Sequence, residues 1–144
     1  MNGPLRIVIF GTGFLAQTRA RCWRRVFGHG IELAVAARSR ARAEAFAREH
    51  QLARALSIDE ALADPAFVLV DLCVANRAHR ELTERAAAAG KHVLCTKPLT
   101  AFWGQGLAGE PSAAAVAATE RATMLARAVE DAEEMLAACT RAGV

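Results

Sequence analysis

The stretch LRIVIFGTGFLA, residues 5–16, constrains the fold of this chain more than any other. From Leu5 to Phe10 the side chains are apolar apart from Arg6 and largely β-branched, and they run straight into Gly-Thr-Gly, as a buried strand does when it meets a tight turn. The next segment, Phe14 to Phe27, puts Leu15, Cys22 and Val26 on one face and fills the rest with Arg19, Arg21, Arg24 and Arg25. That spacing predicts a helix, stopped by the Gly-His-Gly of residues 28–30.

The same unit then repeats. Ile31 to Ala37 predicts a second strand, and Ala43, Phe46 and Ala47 have helical spacing within residues 39–50. A short third strand is expected around Ala55 and Leu56, before Ser57 and Glu60, which form an S-x-x-E capping box at the start of a brief helix. Residues 67–75, FVLVDLCVA, are too continuously apolar for a half-exposed strand and predict a central parallel one. A helix is expected over residues 79–89 with Gly90 as its stop, then a fifth strand over 92–96. Residues 112–142 predict one long helix with Leu125, Ala128, Ala132, Leu136 and Cys139 as its core stripe. Strands alternating with helices imply an α/β fold, a doubly wound parallel sheet of the Rossmann type, as a single domain over residues 1–144. Gly143 is a further helix stop, and a sixth strand would begin at Val144.

Several function classes are set aside by composition. A 53% hydrophobic share with 23% charged residues describes a globular chain rather than a disordered one. The net charge of +3 is spread over the whole length, which argues against a nucleic-acid partner. The longest apolar run, AFVLVDLCVA, already contains Asp71 and falls short of a membrane span. With no signal-peptide pattern at the N-terminus, a cytoplasmic location is expected. Cys22, Cys73, Cys95 and Cys139 lack C-x-x-C spacing and the four histidines are scattered, so neither a metal site nor a disulfide framework is expected.

The turn between the first strand and helix carries chemistry. Gly11, Gly13 and Ala16 fill the three small positions of G-x-G-x-x-G/A, which allow a sharp turn, the approach of a pyrophosphate, and close packing of helix on sheet. Thr12 lies between the glycines, and the amides of about Phe14 and Leu15 would face the anion at the positive end of the helix. A purely structural glycine turn is the competing reading. An acidic residue that would take the ribose 2′-hydroxyl of NAD is expected at the end of the second strand, but Ala37 stands there, followed by Arg38, Ser39, Arg40 and Arg42. Guanidinium forks and a hydroxyl suit a 2′-phosphate, so NADP is favoured and NAD is the lesser choice, unless the arginines only solvate a helix face. Of the 18 Lys plus Arg residues only Lys91 and Lys97 are lysine. A lysine directly before Pro98, at the end of an apolar strand, reads as a place where a compact ammonium is wanted.

With these motifs in view, the chain resembles the N-terminal nucleotide-binding domain of the glucose-fructose oxidoreductase and inositol dehydrogenase (Gfo/Idh/MocA) superfamily. The stretches IVIFGTGFLA, VDLCVANRAHRELTERAAAAGKHVLC and TKPLT carry the likeness over most of residues 5–100. The resemblance implies a catalytic Lys97 beside the nicotinamide ribose and the substrate hydroxyl. It also implies cofactor contacts from Val74, Asn76, His79, Thr96 and Pro98. Taken alone, His79 would more often be a capping or surface histidine. Two positions depart from the family pattern: Thr96 stands where Glu is usual, and Ala75 where a proline often precedes Asn76. The family's antiparallel substrate domain is expected to be missing from these residues.

The expected function is hydride transfer between a nicotinamide cofactor and a sugar-like or related small molecule, by a homo-oligomer. The alternative is a stand-alone module that binds or senses NADP(H) without turnover. The loop over residues 99–111, with Phe102 and Trp103, could cover the nicotinamide, meet a neighbouring subunit, or simply pack on itself.

Overall fold

The computed structural model describes residues 3–144. Five strands, β1 (Leu5–Phe10), β2 (Ile31–Ala36), β3 (Arg54–Leu56), β4 (Leu69–Leu72) and β5 (His92–Cys95), form one sheet in the order β3-β2-β1-β4-β5. All four pairings are parallel. The crossovers are α1 (Phe14–Phe27), α2 (Arg40–Glu49), α3 (Ile58–Ala63) and α4 (His79–Ala88), with a 3-10 turn over Asn76–Ala78 leading into α4. From β1 the chain steps outward through β2 to β3, then returns to the other side of β1 to lay down β4 and β5. The strand order therefore reverses beside β1, the place where ligands of such sheets bind.

The pleat sorts the core into two layers. Ile7, Ile9, Leu33 and Val35 pack on Ala16 and Ala20 of α1 and on Ala43 and Phe46 of α2. Val8, Phe10, Val70 and Leu72 face the other way, onto Ala61 of α3 and Leu82 and Ala86 of α4. Ile7 to Phe10 are fully buried because β1 is central and covered on both faces. The capping box at Ser57 is present, with Glu60 N donating to Ser57 Oγ and Ser57 N donating to Glu60 Oε2.

Three expectations are corrected. In α1, Cys22 and Val26 are exposed, and the buried positions are Ala16 and Ala20, with Trp23 packed beside them. Alanine lets the helix approach the sheet closely, so the face with the smallest side chains, not the bulkiest, turns inward. The segment from Ser112 to Ala142 is two helices, α5 (Ala113–Ala117) and α6 (Arg121–Ala142), because Glu120 is extended and begins α6 as its N-cap. α5 buries no residue, so packing does not hold it in line with α6, and the Thr119 hydroxyl bonds back to Ala115 O at 2.9 Å. Lastly, the buried face of α6 holds Met135 and Ala138, while Leu125 and Leu136 of the expected stripe are exposed. Apolar residues occur in neighbouring pairs along this helix (Met124 and Leu125, Ala128 and Val129, Met135 and Leu136), giving two faces about one residue apart. α6 lies against α4 rather than over the sheet, and that contact selects the face.

Candidate functional site

Matched registers place Phe10, Ala36, Leu72 and Cys95 side by side, so the loops that follow them emerge in one row along the C-terminal edge of the sheet. Gly11 lies at the centre of this row. Its φ of 110° is a conformation that suits glycine, its N–H donates to Ala36 O at 2.9 Å, and a Cβ there would collide with the Cys73 carbonyl. Gly13 is different. It is extended, and a Cβ would meet nothing within 4 Å, so no protein contact calls for glycine there. It is the N-cap of α1 yet supplies no side-chain acceptor, and the first turn holds no acidic residue. The amides of Phe14 and Leu15 therefore begin a helix whose positive end is open to an anion. Phe14 is 80% exposed beside them, Thr12 and Leu15 are half-buried, and Ala16 is buried against the sheet.

At the end of β2, Ala37 is half-buried with its N–H given to Leu56 O. The four polar residues beyond it divide their duties. Arg40 turns to Glu44 at 3.1 Å and Glu60 at 2.6 Å, and Ser39 Oγ caps α2 by accepting from Arg42 N. Arg38 and Arg42 are exposed, and neither guanidinium is in an ion pair among the described residues.

Across β1 the loops after β4 and β5 meet. Asn76 Nδ2 donates to Pro98 O at 2.7 Å. His79 is 1% exposed, with Nδ1 2.9 Å from Leu99 O and Nε2 3.2 Å from Val74 O, so it is neither a surface residue nor one facing an open cleft. Thr96 is half-buried, whereas Lys97 and Pro98 are exposed. The Lys97–Pro98 peptide is cis. The nearby thiols are quiet: burial pushes Cys95 up to about 11 and Cys73 further still, so neither is a nucleophile at neutral pH.

The structure thus brings Gly11, Thr12, Gly13, Phe14 and Leu15 to the centre of one edge, Arg38, Ser39 and Arg42 to one side, and Val74, Asn76, His79, Thr96, Lys97 and Pro98 to the other. The span from β2 to β5 is three strand spacings, roughly 14 Å. Among the described residues no group of three or more His, Cys, Asp or Glu side chains could hold a metal ion, and no helix is long and apolar enough to cross a membrane.

Two arrangements beside the site have no clear sign in the sequence. Asp71, 2% exposed on β4, accepts from Arg19 Nε at 2.8 Å and Trp23 Nε1 at 2.6 Å, clasping α1 to the sheet. A lone Asp in an apolar run was the available signal. The loop after Leu99 is organised by Gln105, which donates to Ala101 O and to Asp131 of α6 and accepts from Trp103 N. Asp131 also receives Arg80 of α4, and Thr100 Oγ1 donates to Ala128 O. The loop is tied to α4 and α6, with Trp103 40% exposed.

The comparisons with known proteins agree with this fold. The family model described as "Oxidoreductase family, NAD-binding Rossmann fold" (GFO_IDH_MocA) matches residues 5–123. A 1,5-anhydro-D-fructose reductase of Ensifer adhaerens is 33% identical over 90% of this chain and 32% of its own length. An uncharacterized oxidoreductase of Rhizobium meliloti is 39% identical over 66% of this chain and 29% of its own. The chain spans about a third of the length of these curated relatives. Among solved structures, an NAD binding oxidoreductase from Klebsiella pneumoniae superposes with a TM-score of 0.73 at 28% identity, over 98% of this chain and 33% of that one. With a glycine turn at the switch of a parallel sheet and a family match over most of its length, this chain belongs to the Gfo/Idh/MocA oxidoreductase family and forms its NAD-binding Rossmann domain.

Proposed function

We propose that this domain serves an oxidoreductase that moves hydride between a nicotinamide cofactor, NADP by preference, and a sugar-like or related small molecule. The observation that carries the reading is Gly13: a glycine whose added Cβ would meet no described atom within 4 Å, at the N-terminus of α1 and beside the strand-order switch. A missing Cβ there leaves room for a pyrophosphate against the backbone. The α1 amides hold that anion, and Arg38 and Arg42, free of ion pairs among the described residues, receive a 2′-phosphate with the Ser39 hydroxyl. Val74, Asn76, His79, Thr96 and Pro98 shape the opposite side. Lys97, just beyond the end of β5, extends its ammonium beside the nicotinamide ribose, where it strengthens cofactor binding, and donates a hydrogen bond to the reacting oxygen of the substrate. The nicotinamide, when bound, supplies the hydride chemistry. A sugar-like substrate is supported by the relative named 1,5-anhydro-D-fructose reductase.

One observation favours a second reading, a module that binds NADP(H) without turnover. Thr96 offers no carboxylate beside Lys97 to orient it. The two readings part on turnover, and both require cofactor binding.

Gly13→Ala tests that requirement. Open space around the Cβ predicts that the variant folds with stability within about 1 kcal/mol of the original. Its NADPH affinity, measured by calorimetric titration, is expected to fall at least about tenfold. Undiminished affinity would show that no pyrophosphate passes over this turn.

A further inference from the structure

The proposed ligand contact of His79 conflicts with where its ring nitrogens already point, and Asn76 has given one of its amide hydrogens to the same stretch of chain. Both aim at the backbone of the segment that carries Lys97, one at the Pro98 carbonyl and the other at the next carbonyl along, that of Leu99. His79 is buried, and both its ring nitrogens face carbonyl oxygens, so a ligand could reach it only after the Lys97 segment had moved away. Nδ1 and Leu99 O make the shorter of the two contacts, and with a proton on that nitrogen the ring donates to the Lys97 segment.

Thr100 fixes the following position by donating to Ala128 O of α6 at 2.7 Å. Three consecutive residues after Lys97 are thus tied down, the first to the 3-10 turn before α4, the second to the first residue of α4 and the third to α6. The Lys97 side chain itself is exposed, and no hydrogen bond from its Nζ is present among the described residues. An exposed loop with free carbonyls would ordinarily be solvated and loose. Here its backbone is pinned while the functional ammonium is left available.

We propose that Asn76 and His79 are positioning residues for Lys97, acting through the Pro98 and Leu99 carbonyls rather than by touching cofactor or substrate. Fixing the backbone from Pro98 onward narrows the region that the ammonium can sample, so less ordering remains to be done when a ligand binds. The proposal rests on the reading of Lys97 above, and its test separates the two.

Asn76 is half-buried in a 3-10 turn, so its substitution leaves the core intact. Asn76→Asp keeps the shape and replaces the donor by an acceptor facing the Pro98 oxygen. Backbone amide order parameters at Lys97, Leu99 and Thr100 are expected to fall in this variant from about 0.85 toward about 0.6, with those of β1 and β4 unchanged. Unchanged order parameters at the three amides, or a fall throughout the domain, would overturn the clamp. NADPH titration of Asn76→Ala, Lys97→Ala and the double variant then tests coupling. The expected result is that each single change weakens binding and that Asn76→Ala has no further effect once Lys97 is gone. Losses that multiply in the double variant would mean that Asn76 acts independently of Lys97. If Lys97→Ala alone binds NADPH as well as the original, the Lys97 reading fails and the clamp is reduced to a device of the fold, which the order parameters still register.

Discussion

Arg19 of α1 donates from Nε to Asp71 Oδ2 of β4 across 2.8 Å, and the Trp23 indole converges on the same oxygen at 2.6 Å. The carboxylate is 2% exposed on a strand beside β1. It therefore sets how α1, whose first amides form the proposed anion site, sits on the sheet.

Replacing that acceptor should be costly. Asp71→Ala leaves the Trp23 N–H without its partner and a guanidinium 31% exposed without its counter-ion. Partial solvation of Arg19 puts the expected loss near the low end for a broken buried pair, about 3 kcal/mol. Urea denaturation checks the loss. The same substitution should shift Trp23 fluorescence, since the indole donor is freed.

Cofactor choice is expected to depend on two positions at the end of β2. NADPH should bind about tenfold more tightly than NADH, a preference eroded by salt because Arg38 and Arg42 lie exposed. Arg38→Ala should reduce the preference, and Ala37→Asp should reverse it by offering an acceptor to a 2′-hydroxyl while repelling a phosphate. Calorimetric titration of both cofactors decides the matter. Equal affinities in the unmodified chain would mean that the arginines are only a solvated helix face.

Lys91 is a structural lysine. It is 2% exposed, and Nζ donates to Asp64 O at 2.8 Å and Phe67 O at 2.9 Å, closing the loop before β4. Lys91→Met should orphan both carbonyls and cost about 1–3 kcal/mol in urea denaturation. Burial lowers the pKa of Lys91 in the fold. Below both its folded and unfolded values the ammonium is charged in either state, and between them only the unfolded chain keeps the proton. Stability contributed by Lys91 should therefore rise with pH through that window, so the gap between the original and Lys91→Met widens as pH climbs toward the unfolded value of about 10.4.

The outer face of α6 leaves Leu125 66%, Val129 45% and Leu136 62% exposed. An apolar stripe on one helix should make this chain self-associate as its concentration rises. Light scattering is expected to show the association in the unmodified chain and its loss in Leu125→Glu with Leu136→Glu. Stability should change by no more than about 0.5 kcal/mol, since neither side chain is in the core. Association that survives the double change would point to another surface.

The sequence by itself determined the sheet and its glycine turn, because both rest on local rules. Ile7 to Phe10 are apolar without interruption, as a strand covered on both faces demands, and helix-forming segments between such strands compel parallel crossovers. Ser57 and Glu60 write their cap within four residues. Ser39, Arg38 and Lys97 could be placed at strand ends for the same reason. Only the tertiary structure decided which apolar face of α6 turns inward, because adjacent pairs such as Met135 and Leu136 satisfy the helical period equally and contact with α4 makes the choice. It alone decided that Arg19 serves Asp71, 52 residues away, while Arg38 is in no ion pair among the described residues, and that Asn76 and His79 turn to the Lys97 segment. Those bonds join residues far apart in the chain, and hydrogen-bond partners are set by where the folded backbone brings a donor within about 3 Å of an acceptor, a distance that no residue type records.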